Sequence, residues 1–112
     1  MSEKPTVPQQ LMAVIQDRKT NPTGRSYTAT LFAGGIPTIG AKILEEAREV
    51  VEAAGEPGSA GREHVVHEAA DLIYHLCVLL GHQSISWQEV ETELATRSGF
   101  SGLDEKAARD QT

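Results

Sequence analysis

Leu72-Ile-Tyr-His-Leu-Cys-Val-Leu-Leu80 decides the fold of this chain. Apolar residues fall on nearly every side of the stretch when it is wound at ~100° per residue, the pattern of a helix buried on most of its surface. The helix that contains it is expected from about Arg62 to Gly81. Aromatic residues are scarce (Tyr27, Phe32, Tyr74, Trp87 and Phe100), so the core must be mostly Leu, Ile, Val and Ala. That composition suits packed helices better than a sheet.

Working outward, Thr38 is placed to cap a helix over Ile39 to Ala54, with Gly55 as a left-handed terminator. Its residues Ile39, Ile43, Ala47, Val50 and Ala54 fall within an ~80° arc. On the other side, Ser86-Trp-Gln-Glu89 reads as a capping box with Ile85 and Val90 as its staple. It opens a helix that ends near Arg97, with Trp87, Val90 and Leu94 as its stripe. Pro8 suits the first turn of a leading helix that runs to about Lys19, with Leu11, Met12, Ile15 and Val14 facing inward. Between these helices, Ser26-Tyr-Thr-Ala-Thr-Leu-Phe32 is flanked by Pro22, Gly24, Gly34, Gly35 and Pro37, and it reads mostly as a loop against the body.

Short connectors between the later helices require antiparallel neighbours. The expected architecture is all-α, a four- to five-helix bundle in one domain over residues 1–112. Its helical core spans about 7–97, and the tail 98–112 holds a short helix over Leu103 to Arg109. A helix apolar nearly all round also implies that a second chain covers part of the surface, so a homodimer is expected.

The chain has 112 residues, enough for one core. A net charge of −6 argues against nucleic acid as a partner. Cys77 is the single cysteine and lies in an apolar run, which excludes disulfide and cysteine–zinc frameworks and marks an inert core thiol. The first residues carry no apolar signal segment, and the run Leu76 to Leu80 is far too short to span a membrane. A soluble cytoplasmic protein is expected.

The chemistry concentrates in two acidic patches, Glu45-Glu46-x-x-Glu49 and Glu68-x-x-Asp71. The i, i+3 spacing sets Glu46 beside Glu49, and Glu68 beside Asp71, on one face of each helix. Charged helix residues are usually solvated faces. Here, however, Glu46 and Glu49 border the apolar arc, and Glu68 and Asp71 open the most buried helix. If the helices pack together, four carboxylates converge. Two like charges ~4 Å apart repel by roughly 4 kcal/mol at an effective dielectric of ~20, so convergence calls for a cation. Hard oxygen donors suit Mg²⁺, with Mn²⁺ as the alternative. Such a site can clamp diphosphate oxygens and activate a water for attack at phosphorus. Lys42 stands one turn before Glu46, either to meet a phosphate oxygen or to form an ordinary pair with a glutamate. His75 reads as a satisfied core histidine, His64 and His67 as surface residues, and Tyr74 as core.

The pairing of Glu-Glu-x-x-Glu with Glu-x-x-Asp resembles the all-α nucleoside-triphosphate pyrophosphatases, the MazG-like group. Asp17-Arg-Lys19, Ser26 to Phe32, Lys42-x-x-Glu-Glu-Ala47 and Ala70 to Leu80 narrow the resemblance to its phosphoribosyl-ATP pyrophosphatase family, over roughly residues 9–97. The resemblance implies Mg²⁺-dependent hydrolysis of the α–β phosphate bond of phosphoribosyl-ATP, giving phosphoribosyl-AMP and pyrophosphate in the second step of histidine biosynthesis. It implies Glu46, Glu49, Glu68 and Asp71 as metal ligands, and Glu45 as a further ligand or the group that orients the attacking water. Glu45, Glu46 and Glu49 would then be catalytic. Arg18, Lys19 and Lys42 would contact phosphates, Ser26, Tyr27 and Thr28 would lie near the substrate, and Lys106 and Arg109 would fold over the site. Leu44 stands where relatives often carry a small residue.

Two rival functions share parts of this pattern. A house-cleaning pyrophosphatase for non-standard or deoxy nucleotides would keep the metal site and differ between Arg18 and Phe32. A non-enzymatic helical dimerisation module would need no metal chemistry at all.

Overall fold

The computed structural model describes residues 4–97. Among them the chain forms four helices and no strand: α1 (Val7–Thr20), α2 (Tyr27–Ala54), α3 (Gly58–His82) and α4 (Trp87–Arg97). The all-α architecture read from the sequence is the one observed. The tail helix expected over Leu103 to Arg109 lies outside the described residues.

Each helix starts where its local chemistry directs. Thr6 caps α1: its hydroxyl accepts the Gln9 N–H at 3.3 Å, while its own N–H donates to Gln9 Oε1 at 2.8 Å. Pro8 sits in that first turn, where its missing N–H has no partner to lose. In α4 the expected capping box is formed: Ser86 Oγ accepts from the Glu89 N–H, and Glu89 Oε2 accepts from the Ser86 N–H at 2.7 Å. The inward stripe of α4 is slight, because no residue of the helix is buried and Leu94 is exposed.

Three expectations need correcting. The stretch Ser26 to Phe32 is helical rather than mostly loop. Ser26 caps it by accepting the Ala29 N–H at 3.1 Å, and α2 runs on from Tyr27. The Gly/Pro cluster after it makes a kink instead of an end. Gly35 takes φ 68° and ψ −164°, a region essentially reserved for glycine, and the helix resumes with Pro37 in its new first turn. Thr38 is therefore inside the helix and not its cap. Second, Gly55 ends α2 in right-handed geometry, φ −84° and ψ −6°, not in the left-handed conformation. Third, α3 begins at Gly58, ahead of the expected Arg62, on a Pro57 cap that offers no side-chain hydrogen bond.

Gly55-Glu56-Pro57 turns the chain back, and α2 packs along α3 over the most extensive contact in the protein. α1 lies against both, and α4 touches α1. Ile15, Leu31, Ile39, Cys77 and Val78 form the core, bordered by Leu11, Met12, Phe32, Ile43, Tyr74, Leu79 and Trp87. The close approach of α1 to α3 depends on Gly81, where a Cβ would stand 3.0 Å from Ile15 Cγ2. Burial pushes the Cys77 thiol up, so it stays protonated and inert. Val14 is exposed, and so are Ile73 and Leu76 of the apolar stretch in α3. No described helix is long and apolar enough to cross a membrane.

Candidate metal centre

The seam between α2 and α3 gathers the carboxylates. Glu46 from α2 and Glu68 from α3 are each 7% exposed, and with Glu49 they place ligand oxygens within 4.8 Å of one another. Glu46 Oε2 and Glu68 Oε2 are both buried without a hydrogen-bond partner. An ionised oxygen left so costs far more than a neutral group, and a buried charge is tolerated only when it is paired or bound to a metal. The Glu49 carboxyl is pushed above the usual range, first by its hydrogen bond to Glu68, then by burial and by the negative charge of Glu68. Three hard oxygen donors from two helices, two of them on carboxylates that also carry an unpartnered buried oxygen, fit a divalent cation.

Asp71 takes a different position. Its side chain is 41% exposed, and Oδ2 lies 3.3 Å from His67 Nε2. His67, Glu68 and Asp71 form a second close group, so Glu68 belongs to both sets and Asp71 sits at the edge of the first. The structure thus draws Glu46, Glu49 and Glu68 tightly together and sets Asp71 alongside them.

At the rim, Lys42 Nζ lies 3.5 Å from Glu45 Oε2, with both side chains half exposed. The Tyr27 oxygen beside it, followed by the Glu45 carboxylate, holds the Lys42 ammonium above its ordinary pKa. Tyr27 in turn is shifted up by burial, against the pull of Lys42.

The other residues expected near substrate divide. Tyr27 reaches the acidic seam and hydrogen-bonds His75 Nε2 at 2.9 Å. Thr28 is buried with its hydroxyl bonded to that of Tyr74, and Ser26 is occupied in capping α2. Lys19 donates to the Gly81 carbonyl at 2.7 Å and to Ser84 Oγ at 3.2 Å, tying down the last turn of α3. At ~1.5 Å per residue, Gly81 stands about 15 Å along the helix from Asp71. Arg18 pairs with Asp17 at 2.6 Å. The structure therefore does not bring Arg18 and Lys19 to the carboxylates. Lys106 and Arg109 lie outside the described residues. A groove of about 530 Å³ lined by Gln9, Met12, Ser86 and Trp87, among others, holds none of the carboxylates either.

One neighbour escaped the sequence reading. His64 contacts Glu56 at 3.0 Å and Glu68 at 3.5 Å, joining the start of α3 to the acidic seam. Its hydrogen bond to Glu56, opposed by partial burial, raises its pKa. The i, i+4 spacing of His64 and Glu68 was the available signal. His75, 5% exposed and fully hydrogen-bonded, is the satisfied core histidine expected.

The sequence matches the family model for phosphoribosyl-ATP pyrophosphohydrolase over residues 9–98. It is 50% identical to the phosphoribosyl-ATP pyrophosphatase of Rhodopirellula baltica, across 88% of this chain and 82% of that one. The same-named protein of Geobacter sulfurreducens is 46% identical, across 99% of this chain and all of its own. That of Geotalea daltonii is 48% identical across 92% and 94%.

Proposed function

Because the chain belongs to the phosphoribosyl-ATP pyrophosphohydrolase family, we propose that it hydrolyses phosphoribosyl-ATP between the α and β phosphates. The products are phosphoribosyl-AMP and pyrophosphate, and the reaction is the second step of histidine biosynthesis. The observation that carries this reading is the convergence of Glu46, Glu49 and Glu68 between two helices, with an unpartnered buried oxygen on both Glu46 and Glu68.

Glu46, Glu49 and Glu68 hold the cation, with Asp71 completing the set from the edge. Mg²⁺ fits this all-oxygen donor set best, and Mn²⁺ is the alternative. Bound there, the ion supplies positive charge to the polyphosphate oxygens and to the negative charge that develops as the anhydride opens. The chain's own groups do the rest. Lys42 meets a phosphate oxygen from the rim, and Glu45 beside it orients the attacking water in line with the leaving pyrophosphate. Tyr27 borders the same space, so the first turn of α2 becomes part of the substrate's surroundings.

The reading also includes a homodimer in the cytoplasm. Leu44 and Val51 on α2 are 74% and 72% exposed, and Val66 and Ile73 on α3 are 65% and 44% exposed. Each pair is seven residues apart, so each forms a stripe along its helix. Two exposed apolar stripes on paired helices suit a second copy that brings the same two helices into a larger bundle.

The test is pyrophosphate release from phosphoribosyl-ATP against a panel of deoxynucleoside and nucleoside triphosphates, with Mg²⁺ and with chelator. Preference for the panel, or release that ignores the chelator, would overturn the proposal.

A further inference from the structure

His75 lies buried in the C-terminal half of α3, and the reaction just proposed gives it no role. Its hydrogen bonds engage both ring nitrogens. Nδ1 lies 2.9 Å from the Asp71 carbonyl oxygen. A carbonyl only accepts, so Nδ1 carries the hydrogen. Nε2 lies 2.9 Å from the Tyr27 hydroxyl, and the two share the ring's second hydrogen bond. The two rings meet edge to face with centroids 5.9 Å apart, and Tyr27 stacks on Tyr74 at 6.2 Å.

The position of these bonds gives them consequence. Tyr27 is the first residue of α2, on the far side of the Gly35 kink from Glu45, Glu46 and Glu49. The kink makes the orientation of this first segment depend on its own contacts. His75 Nδ1 also stands 3.9 Å from Glu46 Oε1, so the ring bridges the segment and the carboxylate cluster. Beyond its bond to His75, the Tyr27 oxygen has a lone pair left for a cation or a donor at the rim, where Lys42 stands.

We infer that His75 is a positioning residue for the proposed reaction: its Nε2 holds the Tyr27 hydroxyl, and with it the first turn of α2, at the rim of the Glu46–Glu49–Glu68 cluster. The substrate's phosphates then meet Lys42 in one orientation. The inference rests on the pyrophosphatase reading. Orienting groups of this kind change activity by about 10- to 100-fold when lost.

The test compares His75→Gln, His75→Phe, Tyr27→Phe and the Phe–Phe double variant in the full chain. Gln sets an amide near the place of Nε2 and retains an acceptor for Tyr27; Phe removes it. His75→Phe and Tyr27→Phe are expected to lower kcat/KM for phosphoribosyl-ATP by about 10- to 100-fold, with His75→Gln losing less than about tenfold. The double variant is expected to fall no further than either single change. In nitrogen-15 NMR, Tyr27→Phe should shift the His75 Nε2 signal relative to the parent.

A retained Mg²⁺-induced rise in melting temperature reports an intact fold and cation site in each variant. If His75→Phe does not fold, His75→Gln and Tyr27→Phe decide. Parental activity in Tyr27→Phe overturns the inference, and so does equal impairment in the Gln and Phe variants. A parent inactive on phosphoribosyl-ATP removes the functional reading. A His75 Nε2 signal that Tyr27→Phe leaves unmoved in an active parent background overturns the positioning role alone.

Discussion

Glu46 on α2 and Glu68 on α3 each bury one carboxylate oxygen that has no hydrogen-bond partner, and both meet Glu49 within 4.8 Å. Two helices that could have met through apolar residues meet here through anions. The contact opposes folding until a cation arrives.

A divalent cation should therefore stabilise the protein by mass action. At a hundred times its Kd a ligand adds ~2.7 kcal/mol, and a domain of this size gains ~4–8 °C in melting temperature per kcal/mol. A rise of several degrees is expected in millimolar Mg²⁺ and should vanish in Glu68→Gln. An unchanged melting curve for the parent would count against a converged site.

Without metal, pH should act through Glu49. Its folded pKa lies above the 4.5 of the free side chain, chiefly because it shares a hydrogen bond with Glu68. The folded state then binds the proton more tightly than the unfolded one. The stability this gives is fully present below pH ~4.5 and is lost as pH rises through the folded pKa. In chelator, urea midpoints of the parent should decline across that window relative to Glu49→Gln. Parallel pH profiles for the two would refute the link.

Gly35 should resist substitution. An alanine there must adopt φ near 68° with ψ near −164°, and conformations of that class cost about 1–3 kcal/mol. Gly35→Ala is expected to lower the urea midpoint by the equivalent amount. It should also lower activity, because the kink aims Tyr27 at the acidic seam. A variant as stable as the parent would mean that the kink is not needed.

Leu44 and Val51 offer the assembly test. Sedimentation should show a dimer for the parent and a monomer for a Leu44→Glu, Val51→Glu double variant. A monomeric parent at micromolar concentration would remove the second copy from the account.

How far these features could be read from the sequence depended on whether the signal was local. The Ser86–Glu89 box and the arc from Ile39 to Val50 carried their chemistry within one or two turns and are as expected apart from the α2 start, whereas Ala54 is exposed and Ala53 is buried in its place. The segment from Ser26 was misread because Gly34, Gly35 and Pro37 ordinarily end a helix. Here one glycine conformation bends the chain and lets Pro37 open the next turn. The start of α3 was unreadable for the opposite reason, since Pro57 supplies no capping side chain. In the acidic seam, the helix wheel places Glu46 at the core edge and the apolar run places Glu68 at the opening of the most buried helix, and both are found buried. Neither reading could show that Asp71 would turn to His67, or that Lys19 would be taken by the Gly81 carbonyl, because those choices depend on how helices cross.

The central claim is tested most directly by substituting Glu46 and measuring pyrophosphate released from phosphoribosyl-ATP in Mg²⁺. The account predicts robust release by the parent and a fall of at least ~100-fold in Glu46→Gln, as expected when an electrostatic contact made in the transition state is removed. The variant should fold as well as the parent in chelator, since it loses an unpartnered buried charge. Parental release by a folded Glu46→Gln would contradict the account.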